Sequence, residues 1–157
     1  QEPLFLSVSC ASSTSCVALG VLNPGAKSTK VVVETYNGKA TAEAVRKPAV
    51  ASMTNVECVT RAYCVVATSG HGGTTGRFYV IDGAAWKAVG ATISGAVSSL
   101  SCPAIGICFA VSGHDLVPLN GKPIVVDRVS KLTSVSCPTT KVCYAVDSSG
   151  DAYKVSP

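Results

Sequence analysis

Charged and aromatic residues are scarce in this chain of 157 residues: 14% are Asp, Glu, Lys or Arg, and 6% are Phe, Trp or Tyr. The formal net charge of +4 is spread along the sequence, and no basic stripe carries interleaved aromatic residues. This pattern argues against a nucleic-acid-binding protein. An anionic cell-wall polymer or a lipid surface stays open as a partner for the modest positive charge.

Long hydrophobic runs are also missing, although 47% of the residues are hydrophobic. No run approaches the roughly 18 residues that a membrane-spanning helix needs. Helical periodicity is absent too, and the apolar residues, chiefly Ala and Val, are spread over short segments typical of strands. No signal peptide begins at Gln1, so we expect any export signal to have been removed or to lie outside this sequence.

The chain is rich in one motif, which holds two cysteines separated by five residues and occurs four times. The four copies use all eight cysteines. The copies begin near Ser7, Asn55, Ser99 and Ser134.

Each copy predicts a β-hairpin, and the last copy shows the pattern most clearly. Ser134–Cys137 alternates polar and apolar residues, as a strand with one apolar face does. Cys143–Val146 is a short apolar run of the kind found in strands that are buried on both faces. The residues between them, Pro138–Val142, favour a turn.

Eight cysteines permit many pairings, but the repetition favours a local disulfide within each hairpin. The predicted disulfides are Cys10–Cys16, Cys58–Cys64, Cys102–Cys108 and Cys137–Cys143. Zinc is the alternative, although a five-residue gap fits the usual ligand spacing poorly, and free reactive thiols are a further one. Paired cysteines at this density indicate an oxidising compartment, which means a secreted, periplasmic or cell-surface protein.

In each of the first three units, the segment that follows the hairpin predicts two further strands joined by a tight turn. These turns are Asn37–Gly38, Asp82–Gly83 and Asn120–Gly121, and Ile124–Val129 is the predicted last strand of the third unit. Four short strands per unit, repeated at a period within about 20–50 residues, are typical of propeller blades. We predict an all-β fold, a small β-propeller of about four repeated four-stranded antiparallel blades, each clamped by one disulfide. It forms a single domain over 1–157, with units at approximately 1–48, 49–94, 95–130 and 131–157.

The fourth unit ends after Asp151–Val155 and lacks an outer strand. Two sources are open: the N-terminal segment Gln1–Leu6, which would close the ring by exchange between the termini, or residues beyond Pro157.

The phrase Ser-Val-Ser-Cys-Pro-x-x-x-x-Cys-x-Ala-Val-Asp-x-x-Gly, from Ser134 to Gly150, resembles the repeats of secreted actinobacterial β-propeller-like proteins. The resemblance covers nearly the whole chain. It implies that similar repeats occur as ectodomains of lipoproteins and of receptor-type Ser/Thr protein kinases. The second unit departs from the pattern, with Asn55 and Glu57 in place of both serines, and Trp86 alone keeps the tryptophan expected after the third-strand turn.

Ligands of a propeller meet the loops at one end of the ring, so the variable connections between second and third strands are the candidate site. The loop-face candidates are Asn23, Lys27, His71, Arg77, His114, Asp115, Asp147 and Asp151. His71 and His114 each follow Ser-Gly at matching places, which fits either a shared polar or metal site with Asp115 or Asp151 or a pair of exposed turn residues. We predict no cofactor and no resident metal.

Signals for catalysis are weak. The glycine-rich run Gly70–Gly76 lacks the Gly-Lys-Ser/Thr ending of a phosphate-binding loop, and no Gly-x-Ser-x-Gly elbow is present. A glycosidase would need two carboxylates, for which Asp115, Asp147 and Asp151 are the available set, yet Asp147–Gly150 is typical of a turn. Tyr36 and Trp86 are expected to pack between blades.

We therefore predict a non-catalytic extracellular ligand-binding or sensor module, whose partner is a cell-wall polymer, a glycan or a protein. The resemblance implies a lipoprotein or a receptor-type Ser/Thr protein kinase as the parent. The alternatives are a cell-wall or glycan-active hydrolase, and a structural module that forms a homodimer through the incomplete fourth blade.

Overall fold

The computed structural model describes residues 3–22, 30–43, 52–69, 75–82 and 85–157, which form four antiparallel sheets of consecutive strands. Blade 1 contains β1 (Leu4–Ser12), β2 (Ser15–Leu22), β3 (Lys30–Tyr36) and β4 (Ala40–Glu43). Blade 2 contains β5 (Ser52–Thr60), β6 (Tyr63–Ser69), β7 (Thr75–Asp82) and β8 (Ala85–Ser94). Blade 3 contains β9 (Val97–Ala104), β10 (Ile107–Ser112), β11 (Asp115–Pro118) and β12 (Ile124–Val125). Blade 4 contains β13 (Leu132–Thr139), β14 (Val142–Asp147) and β15 (Ala152–Val155).

The predicted all-β class is confirmed. Over the described ranges, the chain has no helix that is long and apolar enough to cross a membrane.

The first two strands of each blade form the predicted hairpin. In blade 1, Cys10 lies directly opposite Cys16, with 3.9 Å between their Cα atoms, and the same pair in blade 2 is Cys58 and Cys64. All four predicted local disulfides are present: Cys10–Cys16, Cys58–Cys64, Cys102–Cys108 and Cys137–Cys143. Four such bridges are typical of proteins that fold in oxidising environments.

Successive blades pack face to face through three hydrophobic clusters. We call the face that contacts the preceding blade the leading face, marked in blade 2 by Val56 and Val66. We call the opposite face, marked by Val65 and Ala67, the trailing face. Val17 and Leu19, at the trailing positions of blade 1, pack on the leading face of blade 2, and the same arrangement joins blade 2 to blade 3 and blade 3 to blade 4. In the described part of the chain, no such cluster joins blade 4 back to blade 1, so the blades form an open arc.

Serine side chains of the motif accept backbone hydrogen bonds across two of these interfaces. Backbone N–H groups of Val56 and Cys58 donate to Ser7 Oγ and Ser9 Oγ, at 3.2 and 2.9 Å. Backbone N–H groups of Val135 and Cys137 likewise donate to the hydroxyls of Ser99 and Ser101, at 3.1 and 3.0 Å. The serines that alternate with apolar residues in the motif therefore join one blade to the next.

Of the two open sources for the outer strand of blade 4, the N-terminal segment is the one that the structure contradicts. Leu4 and Phe5 belong to the first strand of blade 1, opposite Val21 and Gly20 of β2, so they cannot be the outer strand of blade 4. That blade has three strands in the described chain. Gln1 and Glu2 lie outside the described residues, and the alternative source beyond Pro157 stays a prediction.

The last strand of blade 3 is shorter than predicted, because β12 ends at Val125. Asp127 then accepts hydrogen bonds from the backbone N–H groups of Arg128, Val129 and Ser130, which turns the chain away from the strand pairing.

The connections at two of the predicted tight turns are longer than two residues. Asn37–Gly38 lies in the connection between Tyr36 and Ala40, and Asn120–Gly121 in the one between Pro118 and Ile124. Gly83, of the third predicted turn, lies outside the described residues.

Candidate functional site

Three loops of blades 3 and 4 meet at one end of the arc, which we call the polar end. They are the β10–β11 turn at Gly113–His114, the connection 126–131 and the β14–β15 turn at 148–151. Backbone hydrogen bonds join the three: Leu132 N–H donates to Gly113 O at 2.8 Å, and Ser148 N–H donates to Lys131 O at 2.9 Å. The polar end is therefore a connected surface that spans two blades.

His114 is fixed within this surface by its own backbone and by its ring. Val126 N–H donates to His114 O at 3.1 Å, and the ring Nδ1 lies 2.9 Å from Ser130 O. A carbonyl oxygen can only accept, so Nδ1 carries the proton in this contact. Of the two interpretations that the sequence left open for His114, the exposed turn residue fits only in part, since His114 lies beside the β10–β11 turn but is half-buried.

Asp127 was not among the sequence candidates, but it organises the connection next to His114. Hydrogen bonds from the backbone N–H of Ser130 and Val129 lower the pKa of its carboxyl, with smaller contributions from Arg128 N–H and from the nearby His114. The segment Asp-Arg-Val-Ser carries a recognisable signal, because an Asp that precedes two or three free N–H groups is typical of such turns.

Asp147 holds the last turn of the polar end together. Its Oδ1 accepts from the N–H groups of Ser149 and Asp151 at 2.8 and 2.9 Å, and its Oδ2 accepts from the Tyr153 hydroxyl at 3.0 Å. Burial alone would raise the pKa of this carboxyl, but the hydrogen bonds outweigh burial and the pKa lies below its usual range. Burial and the bond to Asp147 raise the pKa of Tyr153 to about 12. Both oxygens of Asp147 are thus engaged in the turn that the sequence indicated.

The remaining candidates are dispersed. Asp115 begins β11 and is half-buried, whereas Asp151 is exposed beside the Asp147 turn. Arg77 lies within β7, paired with Thr68 and Thr92, and so belongs to a strand instead of the predicted loop; its side chain is exposed. Asn23, Lys27 and His71 lie outside the described residues, so the shared histidine site stays a prediction.

An apolar pocket lies at the opposite end of blade 3, where the β9–β10 turn approaches the β11–β12 connection. Its volume is about 370 Å³, which falls in the range of ligand-binding cavities. The lining residues are Gly106, Ile107, Cys108, Phe109, Pro118, Leu119, Asn120, Ile124 and Pro157. These positions come from segments far apart in the sequence, which is why no motif predicts the pocket.

Two features shape the rim of this pocket. The Tyr63 hydroxyl of blade 2 accepts from Gly106 N–H at 3.2 Å, and Asn120 Nδ2 donates to Gly106 O at 3.4 Å. Asn120 is exposed, and Ile107 keeps more than a third of its surface accessible. The pocket therefore combines an apolar floor with a fixed backbone turn and one accessible amide.

The predicted packing of aromatic residues is half right. Trp86 is partly buried against the cluster between blades 1 and 2, with its ring centroid 6.2 Å from that of Tyr79. Tyr36 is exposed instead, because it lies on the leading face of blade 1, at the position of Ile81 in blade 2, and no described blade covers that face.

No protein-family model matches the chain, and a comparison with curated protein sequences finds no match. Solved structures are similar to it. A structure of YCF48 bound to D1 peptide matches 99% of the chain at 16% identity with a TM-score of 0.66, and the match covers 50% of that protein. YCF48 from Cyanidioschyzon merolae matches 99% at 13% identity with a TM-score of 0.62, covering 67% of its length.

The WD40 β-propeller domain of Doa1 is similar over 99% of the chain at 7% identity, with a TM-score of 0.54 and 66% of its own length covered. The chain thus spans about half the length of the first of these structures. Identities this low show the fold alone. The blades and these similarities together show that the chain has a β-propeller fold.

Proposed function

We propose that this chain is a non-catalytic binding module of an exported protein, and that its ligand is a peptide segment held at the apolar pocket of blade 3. The pocket carries the proposal, because its volume suits one or two apolar side chains and its rim offers backbone and amide partners for a peptide. The similarity to a structure of YCF48 bound to D1 peptide supports this choice of ligand.

The geometry of the polar end supports a non-catalytic role. A two-carboxylate hydrolase would need a pair from Asp115, Asp147 and Asp151. Both oxygens of Asp147 already accept hydrogen bonds from the loop and from Tyr153. A carboxylate held in this way is poorly placed to attack a substrate or to move a proton. Asp147 is therefore a poor candidate for one of the two catalytic carboxylates of a hydrolase.

We further propose that the module lies outside the cell or at its surface. The four disulfides support an extracellular or cell-surface location, since such bridges persist in oxidising compartments. In a parent of the receptor-kinase or lipoprotein type, this chain would be the sensing part. A cell-wall polymer or glycan is the second candidate ligand, and the connected polar end with His114 and Asp151 is the surface that favours it.

The experiment selects binders from a displayed library of random peptides on the immobilised chain and then measures their affinity for variants. Ile107→Asp places a charge at the accessible rim of the pocket and should weaken the selected peptides at least about tenfold, because the charge would lose its hydration on binding. Val125→Asp is the matched control, since this exposed residue neighbours Ile124 in β12 and does not line the pocket.

Equal weakening by both variants would contradict the pocket as the site. A library without any enriched peptide would contradict the peptide ligand. Peptides that bind the Ile107 variant normally but fail on a His114→Ala variant would assign the site to the polar end.

A further inference from the structure

Neighbouring blades pack through the same kind of interface three times within the chain. At each end of the arc that the described blades form, one face of that kind has no neighbouring blade. The leading face of blade 1 has no blade against it, and neither has the trailing face of blade 4, among the described residues. From this we propose that two copies of the chain associate head to tail, with the trailing face of blade 4 in one copy packed on the leading face of blade 1 in the other. This inference is independent of the proposed ligand.

Exposure of the leading face of blade 1 shows what is missing there. Val8 occupies the position that Val56, Leu100 and Val135 occupy in the other blades. Those three residues are at most 8% exposed, whereas Val8 is 66% exposed. Cys10 is exposed in the same way, while Cys58, Cys102 and Cys137 are buried. Two positions of the motif are thus buried in three blades and exposed in blade 1.

The trailing face of blade 4 shows the complementary exposure. Tyr144 and Val146 are 50% and 41% exposed, whereas their counterparts in blade 3, Phe109 and Val111, are buried. In the internal interfaces, the counterparts of Val146 pack in one cluster with those of Val8: Val111 lies with Val135, and Leu19 with Val56. Val146 of one copy would therefore meet Val8 of the other.

The hydrogen-bonding groups of these two faces also match. Ser134 and Ser136 are exposed on blade 4, at the positions where Ser99 and Ser101 accept from the next blade. On blade 1, Val8 and Cys10 stand where Val135 and Cys137 present the donating N–H groups. Two further serine-to-backbone bonds of the same kind would form across the proposed contact.

Charge complementarity fits the same pairing. Glu34 lies opposite Ala18 on the leading side of blade 1, and Lys154 lies opposite Tyr144 on the trailing side of blade 4. Opposite charges on two faces that meet favour the head-to-tail orientation over a contact between two identical faces.

The number of blades favours an assembly of two copies. A head-to-tail contact produces a closed ring when the rotations add up to a full turn, and an open filament when they do not. Two arcs of four blades give eight blades, which is within the range of about four to eight that propellers adopt. Both contacts of the ring are then equivalent, and no apolar end face remains exposed.

The test measures the mass of the whole chain by sedimentation velocity from micromolar to millimolar concentration, and we expect a reversible dimer. Val8→Lys and Val146→Glu should each weaken the dimer at least about tenfold, because each buries an unpaired charge in both contacts. Val129→Lys is the control, since Val129 is highly exposed on a loop away from both faces, and it should leave the dimer unchanged. Circular dichroism verifies the fold of every variant.

A mixture of the Val8→Lys and Val146→Glu variants tests directly whether these two faces contact each other. A mixed dimer has one contact that pairs the introduced lysine with the introduced glutamate and one contact that is wild type, so the mixture should recover dimers that neither variant forms alone. Failure to recover would overturn the head-to-tail arrangement. A monomer at every concentration, or a growing ladder of larger species, would overturn the two-copy ring.

Discussion

At the scale of the residue, serines of the motif link neighbouring blades at two of the three internal interfaces. Ser9 and Ser101 each accept a hydrogen bond from a backbone N–H of the next blade, on the edge strand of its sheet. In blade 2 the corresponding residue is Glu57, and half-burial raises the pKa of its carboxyl by desolvation. At this position of blade 2, Glu57 is therefore less favourable for stability than a serine.

We predict that Glu57→Ser stabilises the chain. The serine hydroxyl can accept from Cys102 N–H as its counterparts do, which contributes about 1 kcal/mol, and the half-buried carboxylate is removed. A carboxyl whose pKa is raised by folding destabilises the native state as the pH rises through that pKa, so the gain should be larger at pH 7 than at pH 4. Urea unfolding at both pH values measures it.

Glu57→Gln separates the two causes, because it removes the charge and keeps the side-chain length. If Glu57→Ser raises the free energy of unfolding equally at both pH values, desolvation of the Glu57 carboxylate does not destabilise the folded chain.

Asp147 provides the opposite pH dependence. Its pKa is lowered in the folded chain, so its contribution to stability is present above the unfolded value of about 4 and is lost as the pH falls through the folded value. We predict that Asp147→Asn lowers the melting temperature clearly at pH 7 and much less at pH 3. Asp151→Asn, on an exposed carboxylate in the same turn, should change it little at either pH. Equal decreases in melting temperature for the two variants would contradict the conclusion that the hydrogen bonds of Asp147 stabilise this turn.

At the scale of the element, the hairpin and its disulfide could be predicted because their determinants are local. Alternating residues, turn-forming residues and a cysteine pair all lie within Ser134–Val146, and this segment forms β13, its turn and β14. The predicted end of the last strand of blade 3 is wrong because a single side chain determines it. Asp127 ends β12 after Val125 through its three backbone hydrogen bonds. The pocket could not be predicted, because Ile107, Leu119 and Ile124 come together only in the folded sheet.

A bulge in β8 gives a test at the same scale. The register between β7 and β8 shifts at Arg77 and Phe78, and Gly90 in the bulge has a φ of +69°. A Cβ atom at Gly90 would clash with the carbonyl oxygen of Leu119, so blade 3 approaches blade 2 closely at this point.

We predict that Gly90→Ala destabilises the chain considerably more than Gly106→Ala. Both glycines have positive φ, but a Cβ atom at Gly106 would meet no atom within 4 Å, so the second variant reports the backbone strain alone. Thermal unfolding measures both. Equal losses would mean that blades 2 and 3 are not in close contact at Leu119.

For the whole molecule, repetition predicts the number of blades but not which of their faces are covered. Tyr144–Val146 has the same apolar pattern as Phe109–Val111, and the sequence indicated burial on both faces for each. The third-blade strand is buried, but β14 alternates between buried and exposed because no described blade covers its trailing face. Burial of a blade depends on its neighbour, which the pattern within one repeat does not contain.

Each repeat is one blade closed by its own disulfide, and disulfide mapping tests this organisation most directly. Lys or Arg residues lie between every two neighbouring motifs, so trypsin separates the four repeats of the unreduced chain. Mass spectrometry should then find Cys10 linked to Cys16, Cys58 to Cys64, Cys102 to Cys108 and Cys137 to Cys143. A peptide pair that links cysteines of two different repeats would contradict it.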